Sequence, residues 1–117
     1  MRKNKIKVHY TPKQVLTKDS GGNFSKSPLK PKRLLENFEA EGLGNHFEII
    51  EDFTPYTNKD FKIAHNKQYV NSFFSGQKGC ESNGLDWSTQ FAESVRYTNA
   101  SLHAAIRGSI LEPDQVH

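Results

Sequence analysis

The chain is short of the residues that crosslink, anchor or conceal a protein. Its single cysteine, Cys80, cannot close an internal disulfide, and with no second thiolate it cannot seed a cysteine-based zinc site. There is no run of about 18 apolar residues, and Met1-Arg2-Lys3-Asn4-Lys5 leads into the mixed segment Ile6-Lys7-Val8-His9-Tyr10 rather than an apolar signal core. These absences predict a cytoplasmic protein with no membrane contact, in which the Asn-x-Ser triplets at Asn23 and Asn99 carry no glycan. Apolar residues make up only 34% of 117 positions, which is room for one small domain at most and a thin core. Eight Phe, four Tyr and one Trp nevertheless argue against disorder throughout.

Metal-ligand and nucleotide-loop spacings are also missing. None of the five histidines (His9, His46, His65, His103, His117) stands at a helical spacing that would aim it and a second His, Asp or Glu at one ion; His103 has only Asn99 and Arg107 four residues away. Gly76, Gly79 and Gly84 do not follow a strand and open a helix, and Gly21-Gly22 lacks the Lys-Ser or Lys-Thr of a phosphate loop. Cys80 lies in a glycine-rich polar loop with only Lys78 nearby to favour a thiolate, so it reads as an exposed loop thiol.

What is present is an uneven charge distribution. Residues 1–35 carry ten basic side chains and one acid, Asp19, a net +9, whereas the remainder carries six basic and twelve acidic side chains, a net −6. Such asymmetry fits a nucleic-acid arm, an acidic partner or attraction between the two halves of one fold. No nucleic-acid-binding module spacing accompanies it, so nucleic acid is not the expected partner.

Periodicity supplies the element order. Ile6, Val8 and Tyr10 alternate as a strand requires. Residues 11–31 are polar and broken by Pro12, Gly21-Gly22, Pro28 and Pro31, which predicts a long structured loop. Pro31 suits a first helical turn, Leu34, Leu35, Phe38 and Leu43 recur at roughly helical spacing, and Gly42 supplies a stop. Residues 46–53 are aromatic and β-branched and predict a second strand. Thr57 with Asp60 marks a helix start, and a further short helix has Tyr69, Val70, Phe73 and Phe74 on one side. From Ser88, residues Phe91, Val95, Thr98, Leu102, Ala105 or Ile106, and Ser109 or Ile110 form one apolar stripe, while Ala92, Ser94, Ala100, Ser101, Ala104, Ala105 and Gly108 permit close approach to a neighbour. Strand, helix, strand, helices and long helix predict an α/β fold with a parallel strand pair joined by a right-handed crossover.

Several short motifs then fall in a suggestive order. Ser27-Pro28-Leu29-Lys30-Pro31-Lys32-Arg33 with its following helix resembles the His-Pro-x-(Lys/Glu)-Pro-x-Arg segment near the start of the histone deacetylase superfamily, zinc amidohydrolases that include acetylpolyamine and acetoin-utilisation proteins. His65-Asn66-Lys67-Gln68-Tyr69-Val70 is similar to the family's His-x-x-x-Tyr-(Val/Ile) element. Phe73-Phe74-Ser75-Gly76 and Gly84-Leu85-Asp86-Trp87-Ser88, opening a helix rich in small residues, resemble the short bacterial branch. The likeness runs from Ile6 to about Ile110.

The resemblance implies an arginase-like α/β fold with a parallel sheet, here a partial one with flanking helices and a long C-terminal helix. It implies hydrolysis of an acetyl amide at a zinc-bound water in the full family domain. The family's paired general-base histidines, Asp-x-His and second Asp metal ligands and transition-state tyrosine all lie downstream of the long helix. Residues 1–117 are therefore expected to be a single partial domain, the N-terminal third of a catalytic domain, binding no zinc and inactive alone. By the same resemblance Pro28, Pro31, Arg33 and Asp86 would line the wall of the substrate and product pocket, with Arg33 holding departing acetate; Glu81 is the other acid on the rim loop. Ser27 stands where many members carry His, so the channel chemistry need not be the family's. A cut from a larger sheet leaves an open edge and an uncovered helix face, which predicts a homo-oligomer through Phe91, Val95, Leu102 and Ile106 or through the strand edge. The alternative is a stand-alone small α/β binding or assembly protein for nucleic acid or another anionic partner.

Overall fold

The fold is that of a computed structural model, described for residues 5–16, 29–77 and 87–117. Strand β1 (Ile6–His9) pairs in parallel with β2 (Phe47–Ile50), Ile6 opposite Phe47 and Val8 opposite Ile49, and the Tyr10 N–H continues the ladder to the Ile50 carbonyl at 3.0 Å. The expected parallel pair is present, but β2 stops at Ile50: Phe53 N–H turns back to the Glu51 carbonyl, and residues 51–53 leave the sheet.

Helix α1 (Lys30–Ala40) lies in the connection between the strands, with Pro31 in its first turn and Gly42 beyond its end at φ +74°, a conformation that glycine adopts without a Cβ clash. It buries no residue; its seam with the sheet is Phe38 stacked flat on Phe47, centroids 4.3 Å apart. Glu36, Glu39 and Glu41 face solvent as their spacing predicts.

Helix α2 (Asn58–Phe61) begins with the reciprocal cap foreseen in Thr57 and Asp60: Thr57 N–H donates to Asp60 Oδ2 at 2.7 Å and Asp60 N–H to Thr57 Oγ1 at 3.4 Å. Helix α3 (Lys67–Ser75) is capped by Asn66, whose Oδ1 accepts from the Gln68 and Tyr69 amides, and ends on Gly76 at φ +76°. His65 beside it is exposed with its ring near Tyr69, and Asn66 does the capping because its short side chain reaches back to the free amides. Helix α4 (Thr89–Leu111) starts where Ser88 Oγ accepts the Phe91 N–H at 2.9 Å.

The core joins α3 to the first turns of α4. Leu16, Phe73, Phe91 and Ala92 are buried together, with Phe74, Trp87 and Val95 packed around them. Trp87 fastens this corner, donating its indole N–H to the Phe73 carbonyl at 2.6 Å while its ring lies on Gly76, where a Cβ would meet it at 2.8 Å. Residues 11–16 are more than connecting loop. A 3₁₀ turn at Pro12–Gln14 packs on α4, Gln14 Nε2 donates to Ser101 Oγ at 3.5 Å, and Val15, 2% exposed, is the most deeply buried large side chain among the described residues.

Helix α4 turns its small residues inward. Ala92, Ser94, Ala100 and Ser101 are buried, and the two serine hydroxyls are satisfied by the Phe91 and Thr98 carbonyls at 2.7 and 2.8 Å. Leu102, Ile106, Ile110 and Leu111 face outward, 53–72% exposed. The expected association face is thereby corrected. Phe91 is taken by the internal core and Val95 packs on it, so only Leu102 and Ile106 of that set stay open, joined by Ile110 and Leu111. The architecture is mixed α/β, with four helices and a two-stranded parallel sheet among the described residues. Among those residues no helix is long and apolar enough to cross a membrane.

Candidate functional site

Parallel strands end with their carbonyl ends and following loops on one side, where α/β sheets receive ligands. Here that side is a cleft of about 760 Å³ between the ends of β1 and β2, residues 52–57 and the C-terminal half of α4. Small residues on α4, Ala100, Ala104 and Gly108, form its wall and leave room for the polar groups.

Two polar groupings border the cleft. In the first, His9 at the end of β1 faces His117, with Nε2 and Nδ1 2.9 Å apart and the rings 18° from parallel. The Glu112 carboxylate lies 3.2 Å from His117 Nε2, an ion-pair distance without hydrogen-bond alignment, and 3.3 Å from Lys7 Nζ. Burial of the His9 ring and the neighbouring His117 hold its pKa below the ordinary imidazole value, more than Asp52 and Glu112 can offset. In the second, Tyr56 Oη lies 2.7 Å from His103 Nδ1, and the Tyr56 backbone is clamped to α4 by its own N–H to the Arg96 carbonyl at 3.1 Å and by Arg96 Nη1 to the Tyr56 carbonyl at 3.1 Å. Arg96 also reaches Asn58 Oδ1 at 2.7 Å and lies over the Phe74 ring at 3.8 Å, so it is a structural cation. Asp60 is held below the usual carboxylate range by the hydrogen bonds it accepts from Thr57.

The residues expected from the resemblance are placed as follows. Pro28 and Asp86 lie outside the described residues, as do Cys80 and Glu81. Pro31 is half-buried and Arg33 exposed, both in the first turn of α1, and neither borders the cleft. Sequence reasoning missed the His9 and His117 pair because 108 positions separate its members. The one local signal was Gly108 inside a helix, and the close approach it permits is by the His117 ring: a Cβ on Gly108 would overlap the imidazole. Among the described residues no group of three or more His, Cys, Asp or Glu side chains is placed to hold a metal ion. Comparison with family models, curated proteins and solved structures finds no match to this chain, so the deacetylase likeness rests on its motifs alone.

Proposed function

We propose that this chain is the N-terminal portion of a zinc-dependent histone deacetylase-like amidohydrolase, carrying pocket wall and no catalytic centre. The observation that carries this reading is the parallel β1 and β2 pair with α1 between them, followed by a long helix whose exit segment lies on the other edge of β1. Lys7 N–H donates to the Val116 carbonyl at 2.8 Å, and His9 meets His117, so the contacts advance in the same sense along both segments, as a third parallel strand would. Such a sheet invites further strands, and the family's metal ligands and general bases belong to that continuation. The described residues do not fit zinc, so no step through a metal is assigned to this chain.

On this reading Pro28, Pro31, Arg33 and Asp86 belong to the pocket wall of the complete domain, a pocket other than the cleft bordered by His9 and His117, with Arg33 as the cation for departing acetate. The outward row Leu102, Ile106 and Ile110 is the face that the rest of a larger domain covers, and the isolated chain covers it by pairing with a second copy. The test is deacetylation of an acetyl-lysine peptide with zinc, run on this chain and on the product of its reading frame continued past His117. The chain alone is expected to be inactive and the continued product to turn over with zinc. Turnover by the chain alone, or a continued product that lacks it, overturns the reading.

A further inference from the structure

The His117 side chain is 2% exposed although it comes from an irregular segment beyond α4. It is seated in a notch that exists because residue 108 is glycine. Around it three parts of the chain converge: β1 supplies His9 and Lys7, the end of α4 supplies Gly108, and Glu112 opens the segment that His117 closes. Two ring nitrogens, His9 Nδ1 and His117 Nε2, are buried without a hydrogen bond. Apart from the Lys7 and Glu112 ion pair, the segment is held to β1 by the backbone bond from Lys7 N–H to the Val116 carbonyl and by the contact between the two imidazoles.

We propose that His9 and His117 form an acid-released clasp that fastens residues 112–117 along the free edge of β1. Two imidazoles at 2.9 Å are bound by one proton, one nitrogen donating and the other accepting. When both rings are cationic, two N–H groups confront each other and the contact becomes repulsive. The charged and titratable groups bordering the same cleft are Lys7 from β1, Asp52 after β2, Tyr56 and Asp60 before and within α2, His103 and Arg107 from α4, and Glu112 after it. Burial of the His9 ring, His117 and Lys7 oppose a charged His9 more than Asp52 and Glu112 favour it, so His9 takes up its proton below the ordinary imidazole range. Release bares the outward N–H of Lys7 and the β1 edge. The device rests on the same Lys7 and His9 contacts that support the catalytic reading but requires no catalytic residue.

Amide hydrogen exchange on the full 117-residue chain tests it, followed residue by residue between pH 7.5 and 4.5 and corrected for intrinsic rates. The Lys7 amide faces residue 116 and the Tyr10 amide faces β2, so one strand carries both the reporter and its control. Lys7 is expected to lose protection at least about tenfold more than Tyr10 on acidification, a difference that His9→Phe abolishes. Lys7 and Tyr10 losing protection in parallel overturns the proposal, as does an unchanged difference in His9→Phe. Where that variant does not fold, the comparison within the natural chain decides.

Discussion

His9 Nε2 and His117 Nδ1 lie 2.9 Å apart although 108 positions separate the two residues. This contact borders the cleft on its sheet side and, with the Lys7 to Val116 backbone bond, joins the segment after α4 to β1. It also places a proton-sensitive pair where parallel strands present ligand-binding ends.

The first prediction concerns pH. The His9 pKa is lowered in the folded chain by burial and by His117, so below about 6.5 the unfolded chain binds more protons than the folded one. The stabilisation associated with the neutral ring is therefore complete above that value and is lost as pH falls through the lowered folded pKa. Urea midpoints are expected to fall from pH 7.5 to 5.5 and to fall less in His9→Phe. A midpoint that rises on acidification contradicts this.

Gly108→Ala tests the notch. In an exposed helix interior this change stabilises by about 0.5–1 kcal/mol. Here the added Cβ overlaps the His117 ring, so the gain is expected to vanish, with a net loss of up to about 1 kcal/mol. Chemical denaturation with the His117 imidazole resonance as reporter reads both effects, and a gain of about 1 kcal/mol would refute the seating.

Trp87→Phe keeps an aromatic ring on the corner between α3 and α4 but removes its N–H bond to the Phe73 carbonyl. That carbonyl also accepts from Gly76 N–H at 3.1 Å and is not orphaned, so a loss of about 1 kcal/mol is expected. Val15→Ala, in the most buried site, is expected to cost more, about 1–3 kcal/mol. The reverse ranking in thermal or urea unfolding would place the core elsewhere.

The difference between these two sites bears on what the sequence made legible. Trp87 ahead of α4, the Thr57 cap, the Gly42 stop and the alternation of Ile6 and Val8 are local signals, and each appears in the fold. Val15 and Leu16 are two apolar residues in a polar stretch, with no period to announce them, and only contact with α4 and the core buries them. On α4 the expected open stripe is split: Leu102 and Ile106 are open as expected, whereas packing with Leu16 and Phe73 draws Phe91 and Val95 into the core. The cleft was illegible for a similar reason: its polar pairs, His9 with His117 and Tyr56 with His103, join distant segments through tertiary packing.

The open row on α4 gives a fourth prediction. Leu102, Ile106 and Ile110 recur every four residues, a ridge of the shape that fits the grooves of a second helix. Size-exclusion chromatography with light scattering is expected to show a dimer or larger species for this chain, shifted toward monomer by Ile106→Glu with the helical content retained. A monomer at all concentrations contradicts self-association.

If residues 1–117 are, as proposed, the opening part of a deacetylase-like catalytic domain, sequencing beyond the His117 codon is expected to find an open frame that encodes a His-His pair followed by Asp-x-His. A stop codon directly after His117, or a frame without those residues, contradicts it and leaves a small α/β binding protein in its place.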